Sequence, residues 1–213
     1  MKKTVICNIP MREHVAQEVF VTEDRSLPVS SEAYCYPINS FLSQTMKKDD
    51  DIKAVLLVKK DGNEYYKQNA ENFIAELEKA NASIGAKISY VAIDTDFSQD
   101  KQTHEKLMGR IVDEIETGSH ILADITYGPK DLTIIIFSVL GFAEKFLRCE
   151  IDNIVYGKAD FVGNEITKST ICDMTSLYLL SSVTNTINCN DPGKARQLLK
   201  SLLSMRGGAL YVL

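Results

Sequence analysis

Residues 120–141, HILADITYGPKDLTIIIFSVLG, decide how the rest of the chain is read. Ile121-Leu122-Ala123 is a short apolar run of the kind that lies buried on both faces of a sheet. The chain then turns through Asp124-Ile125-Thr126-Tyr127-Gly128, and Pro129 suits the first turn of a helix. Residues 132–146 are apolar on nearly every side until Glu144 and Lys145, so this helix needs a cover, from its own sheet or from a partner subunit. Its N-terminus leaves backbone N–H groups unpaired, and Thr126, Gly128 and Lys130 gather donors and close backbone approach there. Two readings follow: a site for an anion, most often a phosphate, or a capped strand–turn–helix that only closes the fold.

With 213 residues, 45% hydrophobic and 25% charged, the chain supports one sizeable α/β core with at most a small appendage. It has no apolar run of membrane-spanning length, and MKKTVICNIP reads as a first strand rather than a signal peptide. The five cysteines, at 7, 35, 149, 172 and 189, form no C-x-x-C pair, which fits a reduced, cytoplasmic protein with small core thiols. Net charge is −5, from 24 basic against 29 acidic residues, which disfavours coating of long DNA or RNA but leaves room for a focused phosphate site.

Working outward from the central stretch, residues 3–8, 53–58, 87–93, 120–125 and 151–156 read as strands. Helices are predicted over 38–46, 71–80, 101–116, 132–146, 174–183 and 192–205, the last introduced by Asp191-Pro192. Residues 15–23 suit an extra strand or hairpin arm, and 156–172 suit a hairpin around Gly163-Asn164. The charged run 47–51 is read as a solvated turn, and 59–63 as a polar loop. Strands alternating with helices at this spacing predict an α/β fold: a Rossmann-like, doubly wound, mostly parallel sheet with helices on both faces, plus a β-hairpin and C-terminal helices. Ligands bind such sheets beyond the carboxyl ends of the strands, at the switch in strand order. That rule gathers three loops: Asn8-Ile9-Pro10, residues 94–98 beginning with Asp94, and Thr126 to Lys130.

Common catalytic signatures are missing. There is no G-x-G-x-x-G after the first strand, no P-loop, no H-E-x-x-H and no G-x-S-x-G elbow. The three histidines, 14, 104 and 120, announce no zinc site, and no cofactor is assigned. What remains is polar side chains at strand ends, each with two readings. Lys130 is a phosphate contact and charge stabiliser, or an exposed first-turn lysine. Thr126 holds a ligand through its hydroxyl, or caps the helix. Asp124 does acid–base chemistry, or pins loop N–H groups. Asn8 reads an adenine edge or closes a turn, and Tyr127 offers a stacking face or a lid.

Taken together, Ala123-Asp124-Ile125-Thr126-Tyr127-Gly128-Pro129-Lys130 resembles the signature of CARF domains, the CRISPR-associated Rossmann fold. In that family the fourth strand ends in Asp-x-Thr-x-Gly, followed by a short polar or basic pair and an apolar helix. KAVLLV leading into a Lys/Asp/Gly/Asn loop, the hairpin after the fifth strand, and Ile171-Cys172-Asp173-Met174-Thr175 before a helix are similar to the family as well. Pro129 departs from the Gly-Thr or Phe-Arg of many members and removes a backbone donor. The resemblance implies a CARF-like domain over 1–173 and a C-terminal helical extension over 174–213 packed on the same core. It implies a homodimer binding a cyclic oligoadenylate, cyclic tetra-adenylate first among them, on a two-fold axis as a sensor in type III CRISPR antiviral defence. Thr126, Gly128 and Lys130 would then cradle phosphate and ribose, and Asn8, Ile9 and Pro10 would approach the adenines, with Asp94, Tyr127 and Pro129 completing the contact set. The enzymatic alternative is a metal-independent ring nuclease, in which the ribose 2′-OH attacks its own phosphodiester and Lys130 and Thr126 are the catalytic candidates. A third reading is an unrelated flavodoxin-like protein that binds a small nucleotide. No arginine has a histidine five residues on, so the Arg-x4-His pair of the HEPN ribonuclease is missing. The chain is then a stand-alone sensor, a regulator, a ring-cleaving enzyme, or a piece whose effector lies elsewhere.

Overall fold

A computed structural model describes residues 1–24, 27–60, 62–96, 100–163, 165–186 and 189–209, with the side chains of 95, 96, 186 and 203–209 set aside. The elements run β1 (Lys2–Asn8), β2 (Glu18–Val21), β3 (Ala33–Tyr34), α1 (Pro37–Thr45), β4 (Asp51–Lys60), α2 (Tyr65–Asn81) and β5 (Lys87–Asp96). They continue α3 (Lys101–Asp113), β6 (His120–Asp124), α4 (Lys130–Phe146), β7 (Glu150–Val162), β8 (Glu165–Asp173), α5 (Thr175–Thr186) and α6 (Pro192–Ala209). One eight-stranded sheet has the order β3-β2-β8-β7-β6-β1-β4-β5. Its pairings are parallel except β2 with β3 and β7 with β8, so the fold is α/β, Rossmann-like and mostly parallel.

The central strands are apolar on both faces because helices cover both. Val5 and Cys7 of β1, Ala54, Leu56 and Val58 of β4, and Leu122 of β6 share a core with Ile38, Leu42, Phe73 and Leu77 of α1 and α2. The alternate residues, such as Ile6, Val55, Leu57, Ile121 and Ala123, are equally buried and by the two-residue period face the other side. On that side Leu107 and Ile111 of α3 and Ile136, Val139 and Leu140 of α4 are buried. The chain lays β4 and β5 outward from β1, then returns to set β6 on its other flank. The switch in strand order therefore falls between β1 and β6. By contacts the chain divides into two units, Met1–Thr175 and Ser176–Leu213. No helix among the described residues is long and apolar enough to cross a membrane.

Three local expectations are corrected. In the run 47–51, expected to be solvated, Asp50 is buried and accepts from Lys3 Nζ at 2.6 Å and from the Lys47 N–H at 2.9 Å. Burial acts to raise its pKa, but Lys3 and that N–H together hold the carboxyl below its ordinary value. In the stretch expected to be a polar loop, Lys59 and Lys60 continue β4. Lys59 is only 1% exposed, its ammonium 2.8 Å from Asp131 Oδ2. Asp61 of that stretch and Asn164 of the hairpin turn lie outside the described residues. Pro129 is the N-cap of α4 rather than part of its first turn, with ψ 156°, and Lys130 is the first helical residue.

Candidate ligand site at the carboxyl edge of the sheet

β6 delivers Asp124 to the edge with no solvent exposure. Its Oδ1 accepts the Thr126 N–H at 2.8 Å and its Oδ2 accepts the Ile38 N–H at 3.1 Å. Burial pushes the carboxyl up to about 6, with these bonds and the Thr126 side chain pulling the other way. One carboxylate thus ties the turn after β6 to the start of α1. That start has no cap of its own at Tyr36. The Asp124 bond to the Ile38 N–H serves as one, and Glu76 of α2 braces the residues just before the helix, accepting the Cys35 N–H at 2.5 Å, the Tyr36 N–H at 3.3 Å and Asn39 Nδ2 at 2.9 Å.

The turn itself is cross-tied. The Thr126 hydroxyl accepts the Gly157 N–H of β7 at 2.8 Å. Gly157 has no room for a side chain, since a Cβ there would sit 2.6 Å from Pro37 Cγ and 3.0 Å from Thr126 Cγ2. The Tyr127 hydroxyl donates to the Cys35 carbonyl at 2.7 Å. Its ring meets Tyr36 edge-on, and the Arg12 guanidinium lies 5.4 Å from its centroid. Gly128 has φ +82°, a region that disfavours side chains, and a Cβ there would come within 3.1 Å of Leu132 Cδ1 and 3.4 Å of Asn8 Cβ. Lys130 is exposed at the first position of α4, where the leading N–H groups of a helix lack intrahelical partners.

The structure brings some expected residues together and leaves others apart. Asn8 lies directly under Gly128, fully buried, and neither amide atom has a hydrogen-bond partner among the described residues. Ile9 is also buried, its N–H donating to the Leu57 carbonyl. Pro10 is buried and its carbonyl accepts Asn69 Nδ2 at 2.8 Å, so α2 holds this loop down. Asp94 stands apart on the edge strand β5, two strand spacings or about 10 Å from β1. Its carboxylate is engaged by Lys60 and Arg110, and Lys60 holds its pKa below the ordinary value. Residues 97 and 98 of that loop lie outside the described residues.

Two cations at this edge were not among the expected site residues. Arg12 and Lys158 line a cavity of about 70 Å³ together with Thr126, Tyr127 and Gly157. Because Asp124 pairs with Val155, everything past Val155 in β7 emerges on the same edge as Thr126. That register carries the signal for Lys158, and Arg12 follows Pro10 by two residues. The cavity has room for about two waters, so a nucleotide would lie across these loops rather than inside them. Chemically the edge offers helix-end N–H groups, the Lys130 ammonium, and a turn whose backbone is fixed by Asp124 and Thr126. No model of a known protein family matches this sequence, and no curated protein matches it.

Proposed function

We propose that this chain is a CARF-type binding domain for a cyclic oligoadenylate, acting as a cytoplasmic homodimeric sensor in type III CRISPR defence. The observation that supports this most is the turn Asp124 to Lys130 at the switch between β1 and β6. There a buried carboxylate fixes the backbone, Gly128 takes a left-handed φ, and α4 opens beside an exposed lysine. Fixed backbone donors suit a phosphate because they need no reorganisation on binding. A ring of linked phosphates suits a two-fold site, in which each subunit presents the same donors.

Sensing is favoured over cleavage by the state of Thr126. Its hydroxyl accepts the Gly157 N–H and steadies the Asp124 carboxylate, which makes it a positioning group within the fold. Incubating the purified protein with labelled cyclic tetra-adenylate and resolving the products tests the reading. Intact bound ring is the expected result. A linear product with a 2′,3′-cyclic phosphate would instead make the chain a ring nuclease, and no binding would return it to the flavodoxin-like small-nucleotide class.

A further inference from the structure

At the opposite end of the sheet β6 and β7 begin side by side, and His120, Glu150 and Asp152 converge there. His120 Nδ1 lies 3.0 Å from Asp152 Oδ1 and 3.8 Å from Glu150 Oε2. All three donor atoms fall within 4.8 Å of one another. The convergence has a cause in the ladder. His120 pairs with Glu150 and Ile121 with Ile151, yet Leu122 pairs with Asn153, so Asp152 is an extra residue in β7. A bulge of this kind re-aims the side chain it carries, here toward the imidazole. The three side chains are 26%, 77% and 31% exposed, so an ion reaches them from solution.

We propose that His120, Glu150 and Asp152 form a binding site for a first-row divalent transition ion, Zn²⁺ in the first instance. The imidazole sets this group apart from a surface patch of acids. Mg²⁺ and Ca²⁺ take oxygen ligands, whereas one nitrogen with two carboxylates suits Zn²⁺ and its neighbours. The 3.0 and 3.8 Å from Nδ1 to the two carboxylates are close to the edges of a coordination shell with metal–ligand lengths of about 2.0–2.2 Å, and the two carboxylates lie within 4.8 Å of each other. Binding moves the imidazole proton to Nε2, and coordination through Nδ1 replaces the hydrogen bond to Asp152. The ion would clamp the first residues of two parallel strands. It lies a full strand length from the turn after β6, so its effect is on stability and it is independent of the proposed ligand. Sequence spacing hides the site, because His120 and Glu150 become neighbours only through parallel register.

Calorimetric titration of the full chain with Zn²⁺ tests this, alongside His120→Ala and the size-conserving double variant Glu150→Gln/Asp152→Asn. We expect one ion per chain in the wild type, a higher melting temperature with Zn²⁺, and affinity at least about tenfold weaker in either variant. If His120→Ala fails to fold, the double variant decides. Absence of saturable binding by the wild type overturns the proposal. So does equal binding by the wild type and a folded variant, which would put the ion elsewhere, for example on the partly exposed Cys172 or Cys189.

Discussion

Burying the Asp124 carboxylate disfavours its charge, and two backbone N–H groups offset only part of that cost. Its folded pKa of about 6 stands above the ordinary carboxylate value, so the folded state binds this proton more tightly than the unfolded chain. Its contribution to stability is therefore fully present below the unfolded pKa and is lost as pH rises through about 6. Asp124→Asn turns an amide donor toward one of the two N–H groups and should cost about 1–3 kcal/mol at pH 7. Denaturant unfolding at pH 7 and pH 5 should show the wild type gaining on the Asn variant toward acid, and the opposite slope would refute this account. Lys130 sits a few residues on in a different situation. It is exposed, so Lys130→Ala should leave the fold intact. On a two-fold site each subunit loses a charge-assisted hydrogen bond, so affinity for cyclic tetra-adenylate should fall by at least about two orders of magnitude. Lys87→Ala at the opposite edge of the sheet is the control. Lys158, which in sequence looks remote from the site, shares a cavity with Thr126 and cannot serve. Equal ring affinity in the Lys130 variant and the wild type would mean that this turn only closes the fold.

Between elements, the junction with most at stake is the one between β4 and α4. The Lys59–Asp131 pair joins them at 2.8 Å, and His104 of α3 approaches the same oxygen at 3.3 Å. Removing one partner of a buried pair strands the other charge. Lys59→Ala should therefore destabilise by about 3–5 kcal/mol, while Lys59→Met with Asp131→Leu should recover most of the loss. Chemical denaturation of the two variants checks this, and a single variant within about 0.5 kcal/mol of wild type would show the pair to be dispensable. Lys59 also marks where the sequence stops being legible. KAVLLV announces a strand through its apolar residues, but nothing local says that the next charge is buried, because its partner lies 72 positions on. The α1 cap is hidden in the same way, since Asp124 reaches the Ile38 N–H from β6, 86 positions on. Asp152 is hidden by a bulge that no periodicity predicts. Most strands and helices are visible as apolar runs, although the two-residue β3 is not and β8 shows only through the hairpin turn before it, and the turn from Asp124 to Lys130 is visible because its residues are contiguous. The burial of Asn8 depends on how closely Gly128 crosses β1, which is a property of packing alone.

For the whole molecule, α4 links the proposed site to the proposed dimer. It begins at Lys130 beside the ligand turn, and along its length Ile134 is 68% exposed and Phe146 is 61% exposed. His104, Met108, Ile134 and Ile135 border a groove of about 280 Å³ between α3 and α4 on the Ile134 side of the helix. A single subunit gains nothing from holding large apolar groups in water, whereas a second copy laid on this face would cover them. An axis running past α4 would also set two copies of the turn side by side, as a symmetric ring requires. Light scattering at micromolar concentration should then give about twice the 23.8 kDa of one chain. Ile134→Glu should return the mass to that of one chain without unfolding it, because the side chain is largely exposed within the subunit. Its ring affinity should fall along with the mass, since each half of the site would lose its mate. A wild type that scatters as a single chain would remove the two-fold axis, and with it the reason for a cyclic ligand.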